Sequence, residues 1–183
     1  MYITKTPLKS LIAIFFTLLF SFSGKPKEVP LNILFIAVDD LRPELGCYGK
    51  SYIHSPNIDA LAKQGSIFMN HFVAVPTCGA SRHAMLTGKY PNSKNDINNN
   101  ASVLAFAGSG NNQIPETFIH KLKLNNYYTV GIGKISHHPD GLVYPYLGSP
   151  KGAPLELPNS WDEMLFNSGK WETGHNAFFG YSD

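Results

Sequence analysis

Cysteine is scarce. Cys47 and Cys78 are the only two in 183 residues, enough for one disulfide and far from a stapled framework. Charge is thin as well, at 15% of residues with a net charge of +2, and no Lys/Arg run occurs. That excludes a nucleic-acid surface built on a basic stripe. No internal repeat is present, which excludes a solenoid. The apolar stretch Leu11 to Phe20 has about ten residues, short of the roughly twenty a spanning helix requires. What remains is a chain with 43% hydrophobic residues, an ordinary globular composition long enough for one domain with a core.

The first residues carry an address. Lys5 and Lys9 precede the apolar stretch, and Ser21, Ser23 and Gly24 follow it. This charged, apolar, small-residue order is that of a secretory signal over residues 1–24. The expectation is export, to a periplasm or the medium, without a stable membrane partner; an uncleaved anchor is the competing reading. Residues 25–30 read as a short linker and 31–183 as the folded domain.

Within that domain, Leu31 to Val38 is an almost unbroken apolar run ending in Asp39-Asp40, the pattern of a buried parallel strand. Ser55-Pro56-Asn57 opens a helix whose expected buried face is Ile58, Leu61 and Ala62, with Gly65 as its stop. Ser66 to Ala74 reads as a second strand. A short helix is expected from near Ser81 to Gly88. Pro115 opens another, with Phe118, Ile119 and Leu122 buried, before a strand from Tyr127 to Ile132. Residues 92–113 read as a surface loop, and the tail after Gly141 as irregular structure anchored by Trp161 and Trp171. Alternating strands and helices predict an α/β fold with a largely parallel central sheet flanked by helices. Ligands of such sheets bind beyond the carboxyl ends of the strands. Asp39-Asp40, the Cys78 loop and Gly133-Lys134 each follow an expected strand, so one rim would gather all three.

Each of these segments carries chemistry, and each has a plainer reading. Adjacent carboxylates repel, and a hard divalent cation such as calcium would relieve them; a solvated turn would do so too. Cys78 stands where a loop enters a helix, with Arg82 one turn on and suited to gripping a tetrahedral oxyanion. A structural cysteine beside a surface arginine is the alternative. Lys134 could neutralise a substrate oxygen and His137 could move a proton near neutral pH, unless His137-His138 is a surface loop.

Taken together, the motifs resemble those of the sulfatase family. Leu34-Phe35-Ile36-Ala37-Val38-Asp39-Asp40-Leu41-Arg42-Pro43 looks like its opening strand, and Ser55 through Ala62 like a second family stretch. The signature C-x-P-S-R, followed by L-T-G and a proline, is matched from Cys78 to Pro91 except that Ala80 replaces the proline. Leu41-Arg42-Pro43, Gly46-Cys47-Tyr48-Gly49 and Gly133-Lys134-x-x-His137 further resemble the iduronate-2-sulfatase branch. The likeness runs in order from about Leu31 to Pro139.

The resemblance implies an alkaline phosphatase/sulfatase-like fold and a defined chemistry. Cys78 would be oxidised by a formylglycine-generating maturase to formylglycine and hydrated to a geminal diol. One hydroxyl attacks sulfur and displaces the alcohol, and the other expels sulfate. Asp39, Asp40 and the modified Cys78 would be ligands of calcium. Arg82 would stabilise the formylglycine hydroxyls, Lys134 would hold a sulfate oxygen, and His137 would contact the diol or substrate oxygens. The implied substrate is a sulfated sugar or polysaccharide, and Cys47 is left unpaired. Some maturation systems accept Ala at the position of Ala80. After Pro139 neither an Asp-Asn nor an Asp-His metal pair stands in a suitable setting, so the chain is expected to be the N-terminal part of a longer enzyme. A phosphate or phosphonate ester hydrolase of the same superfamily, and an inactive truncated module, stay open as other readings.

Overall fold

The computed structural model describes residues 29–106 and 116–180. The expected signal segment, most of the linker, Pro115 and residues 107–113 of the expected loop lie outside them. The chain divides into two units, 1–36 and 37–183. In the first, described residues 29–36 form neither helix nor strand, and Leu31 and Leu34 are 80% and 85% exposed.

The second unit is built from five short helices and a small sheet among the described residues. Helix α1 spans Pro56–Gln64, α2 Cys78–Thr87, α3 Ala101–Phe106, α4 Phe118–Leu124 and α5 Gly174–Phe179. Proline at its first turn opens α1 with the missing N–H where no partner is needed. Ser55 precedes it but turns its hydroxyl elsewhere, accepting from Gly46 N at 3.0 Å and donating to Asp59 Oδ1 at 3.1 Å. Helix α2 stops at Gly88, whose φ of 67° is the left-handed conformation that costs glycine nothing. Thr117 caps α4 by accepting from His120 N at 3.1 Å.

Strands β1 (Val130–Gly131) and β2 (Glu163–Met164) pair in parallel, with Val130 opposite Glu163 and Gly131 opposite Met164. The arrangement is α/β and its pairing parallel, but the sheet is far smaller than the sequence predicts. Leu31 to Val38 and Ser66 to Ala74 form no ladder, and the expected strand Tyr127 to Ile132 shrinks to β1. A strand is defined by a ladder to a neighbour, and among the described residues the only sheet is that of β1 and β2. The side chains of both runs are correspondingly exposed, as at Val38 (56%) and Phe72 (85%). The same holds for α1: Ile58 and Leu61 are exposed rather than buried.

The core is small and lies between α2, α4 and the segment before β2. Leu86, Ile119 and Leu157 are buried together, with Phe106, Ile135 and Trp161 packed against them. Each such side chain contributes about 1.5–3 kcal/mol by leaving water. Of the expected α4 stripe, Ile119 is buried, Leu122 half-buried and Phe118 at the edge of exposure. A polar layer beside this core fixes the register of the later segment. Glu116 accepts from Asn159 N and Ser160 Oγ, both at 2.8 Å, and Thr129 Oγ1 donates to Ser160 O at 2.8 Å. Asp162 Oδ2 accepts from Thr129 N at 2.8 Å while Lys123 pairs with its other oxygen at 3.1 Å.

Two expected irregular regions are more ordered than their composition suggests. Residues 92–113 include a 3-10 turn at Lys94–Ile97 and helix α3, whose Ala101 and Ser102 are each 1% exposed. The tail after Gly141 carries β2, a 3-10 turn at Gly169–Trp171 and α5. In both, side-chain hydrogen bonds supply the order that apolar periodicity does not signal. Among the described residues no helix is long and apolar enough to cross a membrane.

Candidate active site

Three segments distant in sequence meet at Asp39. Arg82, on α2, donates from Nη2 to Asp39 Oδ1 at 2.9 Å, and Lys134 Nζ reaches Asp39 Oδ2 at 2.9 Å. Arg82 Nη1 also donates to Lys134 O at 2.8 Å and Ile135 O at 3.0 Å, so its fork ties the 134–135 backbone to the carboxylate. The arginine side chain is 8% exposed and the lysine 12%, against 27% for the aspartate. Partial burial raises the Asp39 carboxyl, but the hydrogen bond and charge of Lys134, joined by Arg82, outweigh it and hold its pKa below the ordinary value. Two cations sharing one carboxylate leave surplus positive charge there, which suits an anionic ligand.

Cys78 is the first residue of α2, one turn before Arg82, and is exposed. The helix begins at Cys78 itself rather than near Ser81. Asn99 explains how: its Oδ1 accepts from Gly79 N at 3.0 Å and from Thr77 Oγ1 at 3.2 Å. Its backbone closes directly on the Gly79 Cα, where any Cβ would collide with it. Both cysteines are free, and Cys47 is half-buried rather than enclosed. Asp40 is exposed in a left-handed conformation with φ 51°, uncommon for a residue other than glycine but tolerated by aspartate.

His137 is half-buried, and its Nδ1 is buried without a hydrogen-bond partner. Burial, then the charges of Lys134 and His138, lower its pKa from 6.5 to about 4, against a small opposing pull from Asp39. At neutral pH it is an uncharged imidazole, able to accept a proton rather than holding one in readiness.

Several residues that position this loop carry no sequence signal. Glu156, 1% exposed, accepts from His137 N at 3.1 and 3.2 Å and from His138 N at 2.9 Å. It is raised beneath them by a short antiparallel return, in which Val143 N meets Pro154 O at 2.8 Å and Glu156 N meets Gly141 O at 2.9 Å. On the other side, Ser136 donates to Ser102 Oγ at 2.9 Å, and Ser102 meets His83 Nδ1 at 3.2 Å. These partners lie 18 to 34 residues apart along the chain, and neither spacing nor composition joins them.

A histidine whose folded pKa lies below its unfolded value stabilises fully above pH 6.5, and that stability is lost as pH falls toward about 4. Urea-denaturation midpoints at pH 7 and pH 5 should therefore differ, with the acid form weaker. His137→Gln should narrow the gap; an unchanged gap would show that His137 does not drive it.

As a metal site, the aspartates fit calcium in kind but not in number. Carboxylate oxygens are the hard donors calcium takes, yet both Asp39 oxygens are engaged by cations. Among the described residues no group of three or more His, Cys, Asp or Glu side chains is assembled to hold a metal ion. The expected set Asp39, Asp40 and Cys78 therefore does not form a three-donor cluster. Asp162 is spent on Thr129 and Lys123.

Comparison with known proteins gives this geometry a family. The Sulfatase family model matches residues 31–163. Iduronate 2-sulfatase of Mus musculus is 41% identical over 129 residues, covering 67% of this chain and 22% of that protein. Arylsulfatase D of Homo sapiens is 38% identical over 151 residues, covering 72% of this chain and 24% of that protein. The ulvan-active sulfatase of Formosa agariphila is 44% identical over 69 residues, covering 38% of this chain and 14% of that protein. No solved structure matches the chain. The chain spans less than a quarter of the length of these relatives. On the match across residues 31–163, the chain belongs to the sulfatase family.

Proposed function

We propose that the protein is an exported sulfuric ester hydrolase that cleaves sulfate esters on a sulfated sugar or polysaccharide, with Cys78 converted to formylglycine as the nucleophile. The observation that carries this reading is the convergence of Arg82 and Lys134 on Asp39, one helical turn from an exposed Cys78. On this reading residues 1–24 are the signal, and residues 31–183 contribute to an alkaline phosphatase-like catalytic domain around a largely parallel sheet.

Each side chain has a task that follows from its setting. Lys134 binds a sulfuryl oxygen and offsets the charge that develops there. Arg82, fixed by two carbonyls and a carboxylate, orients the start of α2 and the hydroxyls at position 78. His137, neutral at pH 7, accepts a proton from a hydroxyl at position 78 or contacts the ester oxygens. Asp39 and Asp40 would be part of a calcium shell, which takes roughly six to eight oxygens, and the ion would supply positive charge to the sulfuryl oxygens. A maturase able to accept Ala80 is the implied partner.

Tetrahedral oxyanions bind similar groups, so substrate preference decides between sulfate and phosphate chemistry. With the full-length protein, kcat/KM for 4-nitrophenyl sulfate should exceed that for 4-nitrophenyl phosphate by at least about tenfold. A rate on the phosphate equal to or above that on the sulfate would overturn the assignment.

A further inference from the structure

Helix α5 and the loop before it bring aromatic rings to the edge of this site. The Phe178 ring centroid is 4.3 Å from Lys134 Nζ, a cation–π contact. Phe178 meets Phe179 edge-on at 5.0 Å, Tyr146 meets Phe179 at 5.8 Å, and Tyr146 meets His175 at 5.2 Å. Tyr146 and Phe178 are nevertheless 46% and 41% exposed. The ledge they form is held from behind. His175 packs edge-on against Tyr144 at 5.0 Å, and Tyr144 OH accepts from Gly174 N at 3.0 Å while donating to Asp140 Oδ2 at 2.5 Å.

The chemistry of the ledge selects its occupant. An aromatic face carries partial negative charge and attracts the electron-poor C–H groups of a sugar ring, while the neighbouring ammonium attracts an anionic ester. Inorganic sulfate would use the cation alone. A sterol or aryl ester would need an enclosed apolar pocket, whereas a half-exposed ledge leaves sugar hydroxyls in water. We propose that Tyr146 and Phe178 form a sugar-binding ledge beside Lys134, the subsite that holds the ring of a sulfated carbohydrate. This rests on the sulfatase reading for the sulfate ester and adds the residues that recognise what carries it.

The test is binding, measured by calorimetry on the 183-residue chain with glucose 6-sulfate, glucose and inorganic sulfate. Glucose 6-sulfate should bind about tenfold more tightly than inorganic sulfate. Tyr146→Ala, which leaves the Phe178 ring over Lys134, should lose most of that advantage and leave sulfate affinity unchanged. Phe178→Ala should weaken both ligands, because it also strips the ring from Lys134. Tyr146→Phe keeps the ring and should bind as the unaltered chain does, which separates lost stacking from lost folding. Equal affinity for glucose 6-sulfate and sulfate, absence of binding, or equal losses for both ligands in Tyr146→Ala would overturn the ledge. Since hydrolysis is not read, an inactive chain that passes this test leaves the ledge standing and sinks only the catalytic assignment.

Discussion

Cys78→Ala should abolish sulfate-ester turnover by the full-length enzyme, lowering kcat/KM for 4-nitrophenyl sulfate by roughly ten-thousand-fold or more. A loss of that size corresponds to about 5 kcal/mol of transition-state stabilisation, the scale expected when a covalent nucleophile is removed. Stability should hardly move. The side chain is exposed and opens α2 without anchoring it, and such surface changes usually stay within about 0.5 kcal/mol. Thr77 and Gly79, which Asn99 holds on either side, are untouched by the substitution. Steady-state kinetics beside a thermal melt separates the two effects. Turnover within tenfold of the unaltered protein would remove Cys78 from the mechanism.

Arg82→Ala should have the largest effect on folding, and abolish activity with it. Its guanidinium satisfies two backbone carbonyls and one carboxylate oxygen from a side chain 8% exposed. Breaking a fully buried ion pair costs about 3–5 kcal/mol. Asp39 is 27% exposed, so water recovers part of this and a loss of about 2–3 kcal/mol is expected. Arg82→Lys should recover little, because one ammonium cannot reproduce a fork that spans Asp39 and the 134–135 backbone. Urea denaturation of both variants measures this. A midpoint for Arg82→Ala equal to that of the unaltered chain would mean that the Asp39 junction does not hold the fold together.

The local signals in the sequence translate well where the cause is local. Pro56 opens α1 and Gly88 closes α2, each through chemistry carried by the residue itself. The order of Asp39, Cys78, Arg82, Lys134 and His137 is also legible, because the family motifs bracket it. Failures arise where the outcome depends on a distant partner. Leu31 to Val38 has the composition of a buried strand, but among the described residues it joins no sheet. Helix α2 reaches back to Cys78 because Asn99, 20 residues further on, receives the Gly79 N–H. Glu156 and Ser102 read as ordinary polar residues, yet they fix the loop that carries Lys134 and His137. An isolated acidic or hydroxyl side chain has no periodicity that announces a partner so far along the chain. The adjacent carboxylates of Asp39 and Asp40 suggest metal donors, and nothing in that spacing announces that Asp39 also pairs with Arg82 and Lys134.

On the proposed reading, the residue at position 78 works as formylglycine. Its most direct test is the mass of the peptide bearing that residue, taken from full-length protein produced together with a formylglycine-generating maturase and read beside 4-nitrophenyl sulfate turnover. The formylglycine mass at position 78, with turnover rising in proportion to the converted fraction, is the predicted result. Undiminished turnover by protein whose position 78 is entirely unmodified cysteine would contradict it.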